Sequence, residues 1–267
     1  MKDSTPNEPD AYSATSVALS KRVGIDLTAA LLASLNVSPF ISIVDRGIVE
    51  NANGSRPLFA NIKHLLLSFI TSPVQFMCKR REFHLVYGLY AATYATANIS
   101  DTICEWKSVD KEMPKFLCTT AVNMTLCIAK DRAFTRMFGT IRPTAFPLSS
   151  IALFAVRDSL TVAASFNAPK ILAEQIRAHS DMEIGKASII AQLFCPAAIQ
   201  FISTPLHLLG LDLYNNRHAA PKRRFRFITK EYFKSAAARI GRIGPAFGLG
   251  SIGNNFYKAR LRVLVEK

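Results

Sequence analysis

Apolar residues along this chain fall in long runs, without the two-residue alternation of a half-buried strand. Residues 27–44 contain no Asp, Glu, Lys or Arg; residues 83–100 and 187–211 are equally free of them and hold one histidine each, His84 and His207. Each run approaches the roughly 20 residues that a helix needs to cross a bilayer core. Shorter runs lie at 116–129, 143–156 and 243–257. Ser, Thr, Asn and Gly recur within the runs, as in helices that pack around a polar interior. The pattern predicts six helices, near 24–50, 82–105, 115–138, 146–170, 186–215 and 243–264. Two further segments, 57–70 and 229–239, set an apolar face beside basic residues. They fit helices lying in a membrane interface, and equally ordinary surface helices.

Composition sharpens this picture. Apolar residues make up 49% of the chain and charged residues 19%, yet the formal net charge is +14. Both a nucleic-acid binder and a membrane protein with basic loops have that balance. Position separates them. Arg56, Lys63, Lys79, Arg80 and Arg81 follow the first predicted helix; Arg132, Arg136 and Arg142 follow the third. Eight bases between Arg217 and Arg239 follow the fifth. The alternate connections are balanced, with Lys107, Lys111 and Lys115 set against Glu105, Asp110 and Glu112. Such one-sidedness is what the positive-inside rule describes, and it puts both termini on the less basic side. The expectation is a lipid-embedded all-α membrane protein with no nucleic-acid partner, a large soluble helical protein being the other reading. Within 221–228, Phe225 and Phe227 interleave with arginines, which suits contact with RNA or anionic lipid, and equally a solvated loop.

Little points to catalysis. The five cysteines form no CxxC pair, and the five histidines never reach metal-ligand spacing. Gly248, Gly250 and Gly253 lack the Lys-Ser/Thr of a phosphate loop. No enzymatic activity, metal or cofactor is expected. Residues 1–20 carry Asp3, Glu8, Asp10 and two prolines, unlike a secretory or transit segment, and are expected to form a disordered tail before a helical domain at 21–267.

Weak self-similarity runs through that domain. Ser42-Ile43-Val44-Asp45-Arg46-Gly47-Ile48, Ile128-Ala129-Lys130-Asp131-Arg132-Ala133-Phe134 and Ser203-Thr204-Pro205-Leu206-His207-Leu208-Leu209 stand near the ends of the first, third and fifth helices. Asp101-Thr102-Ile103 and Asp158-Ser159-Leu160 pair the second and fourth. Three helical hairpins so arranged resemble the mitochondrial carrier family. The resemblance implies six transmembrane helices in three pseudo-repeats, at about 21–110, 111–182 and 183–267. It also implies a Pro-x-acid-x-x-base motif on odd helices, whose ion pairs close the matrix side.

Carried over by position, the motif reads Ile43, Asp45, Ile48; Ala129, Asp131, Phe134; and Pro205, His207, Gly210. One proline and two acids are kept, and no base. Arg46 and Arg132 directly follow the acids, though helix neighbours point about 100° apart. Arg242-Ile243-Gly244-Pro245 is similar to the family's sixth-helix segment, which would put Arg242 at a mid-membrane substrate contact, with Arg142 opening the fourth helix similarly. Only 27 residues separate Asp131 from Asp158, against 56 from Asp45 to Asp101, so the second repeat lacks its interfacial helix.

Ionisable residues within a span are functional candidates by default. Asp45, Asp131 and His207, with Arg46 and Arg132, form the matrix-gate set; Arg157 and Asp158 qualify as intramembrane charges, and inter-helix pairing is the alternative reading for them all. Two functions stay open. Loss of the bases favours a structural or assembly subunit of a larger mitochondrial inner-membrane complex; the alternative is a solute transporter with a non-standard gate. Either would be multi-pass in the mitochondrial inner membrane, with both termini on the intermembrane-space side.

Overall fold

The computed structural model describes residues 8–139, 147–166, 168–180 and 182–265, and every regular element among them is helical. The long helices are α1 (Glu8–Ala52), α4 (Arg81–Trp106), α5 (Glu112–Phe138), α6 (Leu148–Phe166) and α8 (Ile184–Asn215). Shorter ones are α2 (Leu58–Thr71), α3 (Pro73–Lys79), α7 (Ala168–His179) and α9 (Pro221–Gly241). The chain ends in α10 (Ile243–Pro245), a π-helical turn (Ala246–Ile252) and α11 (Gly253–Val265). Chain order is also spatial order: α1 packs on α4, α4 on α5, α5 on α6 and α6 on α8. α10 touches both α8 and α1, and α11 lies along α1, which closes the ring.

The helices are amphipathic in the inverted sense. On α1, Leu27, Leu31 and Leu35 are exposed, whereas Asp26, Ala30, Ser34, Ser38, Ser42 and Asp45 are buried. α8 repeats this, with Ile189, Leu193, Phe194 and Ile202 outside and Gln200, Ser203, Thr204 and His207 inside. Small residues let helices approach closely, and hydroxyls can return their hydrogen bonds to their own helix. Ser34 Oγ donates to the Ala30 carbonyl at 2.7 Å, and Ser38 Oγ to that of Ser34 at 2.5 Å. Apolar surface turned outward over several helices belongs in lipid. Three helical stretches among the described residues, Leu19–Ala52, Leu148–His179 and Ile184–Asn215, are long and apolar enough to cross a membrane. The architecture is an all-α, membrane-type bundle.

Several expected boundaries move. α1 begins at Glu8, so of the expected tail only residues 1–7 lie outside the described residues. The expected helix at 146–170 extends to His179, α6 and α7 being described on either side of residue 167, which lies outside the described residues. Residues 221–228, weighed as a loop, open α9 with Pro221 at its first position. Residues 139–147 are all that separate α5 from α6, whereas α2 and α3 fill the link after α1.

Prolines within α8 have a structural use. Pro205 offers no N–H to the Phe201 carbonyl one turn earlier. The Tyr232 hydroxyl of α9 donates to that carbonyl at 2.9 Å instead. A close approach fixes α6 against α8: Ser150 Oγ donates to the Gly210 carbonyl at 2.9 Å, beside the fully buried Phe154 ring. Aromatic rings Phe40, Phe69, Phe76 and Phe83 meet edge to face at 5.4–6.5 Å and tie α2 and α3 between α1 and α4.

A side-chain carbon at position 210 would lie 2.6 Å from Phe154 Cε1. Gly210→Val is therefore expected to cost about 1–3 kcal/mol through overpacking, read as a lowered melting temperature in detergent. Leu31→Lys tests the outward face. A lysine at a lipid-facing helix centre costs about 2.5–3.5 kcal/mol of insertion free energy, so the fraction of protein resisting alkaline extraction should fall. Retention equal to wild type would mean that Leu31 does not meet lipid.

Candidate functional site

The buried charges gather where α1, α5, α6 and α8 converge beneath the start of α10. On α1, Asp45 receives the Lys130 ammonium of α5 on one oxygen and Arg242 Nη1 on the other, the latter at 2.5 Å. Lys130 also lies 3.0 Å from Asp131 Oδ1. Arg157 of α6 approaches Asp131 Oδ2 at 2.5 Å and donates to Asp158 Oδ1 from Nε at 2.9 Å and Nη2 at 2.6 Å. Its Nη1 meets His207 Nδ1 of α8 at 2.7 Å. A guanidinium can only donate, so Nδ1 accepts and the neutral ring carries its proton on Nε2. The result is a chain of alternating charge, Arg242–Asp45–Lys130–Asp131–Arg157–Asp158, crossing the bundle from helix to helix.

This chain borders a cavity of about 150 Å³, which Arg239 and Tyr90 also line. Tyr90, Thr161 and Arg242 are shared with a wider cavity of about 560 Å³, lined further by Tyr94, Ser188, Gln192 and Gln200. The wider volume falls within the roughly 300–1,000 Å³ of small-molecule sites. Arg239, at the end of α9, is buried and donates from Nε to Gln200 Oε1 at 3.0 Å and from Nη2 to Ser203 Oγ at 3.2 Å.

A second polar network sits at the other end of α1. Asp26, fully buried, accepts from the Thr102 hydroxyl and pairs with Lys258 Nζ at 3.2 Å. Asn98 and Asn254 exchange hydrogen bonds of 2.9 and 2.8 Å beside it, and Asn98 Nδ2 also donates to the Asp26 carbonyl at 3.1 Å. At 1.5 Å per residue, Asp26 and Asp45 stand about 28 Å apart along α1, close to the roughly 30 Å of a hydrocarbon core.

Of the residues singled out by sequence, Asp45, Asp131, His207 and Arg242 meet in the first network, with Arg157 and Asp158. Arg46 turns away from it, pairing with Glu50 at 2.7 Å and Glu82 at 2.6 Å over the Phe138 ring. Arg132 is exposed, and Arg142 lies outside the described residues. The motif positions that lack a base, Ile48, Phe134 and Gly210, are buried in apolar packing. The acids are not left bare, however: Lys130, Arg157 and Arg242 neutralise them from neighbouring helices. That removes the main ground for reading the protein as a structural subunit. Lys130 and Arg239 are the members that sequence reasoning missed. Lys130 stands between apolar residues and Asp131, and only the helix orientation tells which of Lys130, Asp131 and Arg132 face inward. Arg239 shares one face of α9 with buried Glu231, Ser235 and Ala236, at spacings of one and two helical turns.

No curated protein and no solved structure compared with the chain matches it. A family profile described as "Probable citrulline exporter" matches residues 29–262. This corrects the resemblance to the mitochondrial carriers, which rested on short motifs that lacked their bases. The mitochondrial inner membrane, the intermembrane-space orientation and the structural-subunit role depended on that resemblance and lose their support with it. Running from within α1 to near the end of α11, the match covers most of the sequence, and the chain belongs to the probable citrulline exporter family.

Proposed function

We propose that this protein is an exporter, not an enzyme, and that it carries a small zwitterionic solute of the citrulline type through the bundle. The observation that carries this reading is the polar cavity edged by a chain of buried charges inside an outwardly apolar bundle. The family's description supplies the solute. Citrulline is an α-amino acid whose side chain ends in an uncharged ureido group, so it asks for two charged partners and a set of neutral hydrogen-bonding groups. The wider cavity offers the neutral groups in Ser188, Gln192, Gln200 and Thr161.

In this reading α4, α5 and the segment from α10 to α11 also span the membrane, giving six crossings in three unequal hairpins. α4 and α5, of 26 and 27 residues, have the reach: at 1.5 Å per residue each is about 40 Å long. Both termini then lie on the less basic side, and the basic links after α1 and α8 face anionic lipid on the other. The networks at Asp45 and Asp26 act as two closures that open in turn around the cavity between them. A closure must be strong enough to hold and weak enough to open. Inverting a two-state population from 1:99 to 99:1 takes about 5.5 kcal/mol, and charge-assisted hydrogen bonds contribute about 1.5–3 kcal/mol each. Two to four such contacts exchanged for contacts with the solute suffice.

The direct test is purified protein in liposomes with radiolabelled L-citrulline. Uptake above empty vesicles is expected, and it should disappear in Asp45→Asn. No citrulline flux in either direction would refute export of this solute. Arg157→Ala strips Asp131 and Asp158 of a shared partner inside the bundle. Leaving buried charges uncompensated costs about 3–5 kcal/mol, so the variant should melt well below wild type and transport nothing. For the topology, protease-accessible tags at each terminus and at residue 218 should be cut from opposite sides of sealed vesicles. Cleavage of a terminal tag and the 218 tag from one side would rule out the five spans placed before that point, because an odd number of crossings must separate the two.

A further inference from the structure

We infer that Arg239 and Asp158 are the two poles of the solute site, Arg239 taking an α-carboxylate and the free oxygen of Asp158 an α-ammonium. The argument begins with charge. Lys130, Arg157, Arg239 and Arg242 line the inner cavity with Asp45, Asp131 and Asp158. Four bases face three acids, which leaves one positive charge. It can be located. Lys130, Arg157 and Arg242 each touch a carboxylate, whereas no carboxylate among the described residues lies within ion-pair distance of Arg239.

Arg239 is only 2% exposed. Its partners, Gln200 and Ser203, are neutral: they hold the guanidinium in place without cancelling its charge. A guanidinium has five N–H donors, and two are engaged by described residues. A buried cation so placed destabilises the empty protein unless something else brings the anion.

The complementary vacancy is on Asp158. Both hydrogen bonds from Arg157 go to Oδ1, and the buried Oδ2 has no hydrogen-bond partner among the described residues. A carboxylate with one oxygen saturated and the other bare suits a donor that arrives with the ligand. Arg239 and Asp158 line the same cavity, which leads through Tyr90 and Thr161 to Ser188, Gln192 and Gln200 of the wider one, where Lys170 adds a further positive charge. A zwitterion satisfies both poles and directs its uncharged side chain to those neutral hydrogen-bonding groups. A cationic amino acid adds its side-chain charge to an already positive cavity and is disfavoured. The inference takes citrulline as its probe from the proposed export, but the two poles are read from the cavity itself.

The test is binding to the full-length protein in nanodiscs, read by thermal shift and calorimetry. The probes are L-citrulline, its methyl ester, its Nα-acetyl derivative, L-ornithine and glycine. Wild type should bind L-citrulline roughly 10-fold or more tightly than either blocked derivative, as expected for loss of one charge-assisted contact, and should bind it more tightly than L-ornithine. Arg239→Gln should erase the preference over the ester alone, Arg239→Lys should restore part of it, and Asp158→Asn should erase the preference over the acetyl derivative alone. Without ligand, Arg239→Gln should melt no lower than wild type, which separates a ligand-binding role from a structural one. Equal binding of citrulline and ester by wild type, an intact preference in Arg239→Gln, or a lower ligand-free melting point for that variant would each overturn the assignment. If glycine binds with the same dependence on both residues and citrulline does not, the poles stand and citrulline export falls. If citrulline is transported but flux is blind to the ester and to both variants, export stands and the poles fall. Binding of no zwitterion overturns them as well.

Discussion

Everything at the centre of this bundle depends on how charge is neutralised away from water. Taking a carboxylate or ammonium out of solvent costs several kcal/mol even after relaxation. Asp45, Lys130, Asp131, Arg157 and Asp158 meet that cost collectively, because their signs alternate and each of them touches an opposite charge. Two of the pairs join different helices, Lys130 of α5 with Asp45 of α1 and Arg157 of α6 with Asp131 of α5, so α1, α5 and α6 cannot shift past one another without breaking one. Ion pairs of this kind add little net stability compared with well-packed apolar groups, but they strongly penalise any arrangement in which one partner is missing. They therefore fix which helix faces sit together.

The outward leucines and isoleucines complete the physical logic. In water such a surface would drive association; in lipid it is neutral, and packing must come from small residues and polar contacts. That is what α1 and α8 provide. The bulky apolar core is concentrated at one end, where Val37, Ile41, Phe134, Phe154, Leu208 and Tyr214 pack together. The wider cavity is bordered by Ser, Thr, Gln and Tyr together with Lys170 and Arg242, so water and polar solutes are tolerated there.

Much of the fold was legible because charge-free runs and helix length are local properties. Five of the six expected long helices appear within a few residues of where periodicity put them, apart from the extended start of α1, and both amphipathic segments are helical. A π-helical turn at Ala246–Ile252 interrupts the sixth helix, and interruptions of that kind depend on what the chain packs against. The site was legible in part. Asp45, Asp131 and His207 stood out as ionisable groups in apolar surroundings, and the structure brings them into one network through Lys130 and Arg157. Their partners were obscured for a geometric reason: the motif sets its base three residues along the same helix, whereas Asp45 finds Lys130 and Arg242, and Asp131 finds Arg157, across helices. Arg239 was counted among loop bases because sequence shows charge density but not the face of α9 on which each charge falls. The family resemblance failed on the same ground, since Asp-Arg and Thr-Pro pairs are too short to identify a lineage.

The hydroxyl bond between Tyr232 and the Phe201 carbonyl has a mechanical reading. It attaches α9 to α8 at the turn where Pro205 interrupts the backbone hydrogen bonding, which is where a helix bends most easily. Gln200 and Ser203, which grip Arg239, lie before and within that turn, and His207, which grips Arg157, lies beyond it. Bending α8 at this point changes the separation between the two grips. A ligand that pulls Arg239 towards Asp158 therefore works the joint as a lever, with α9 as its arm.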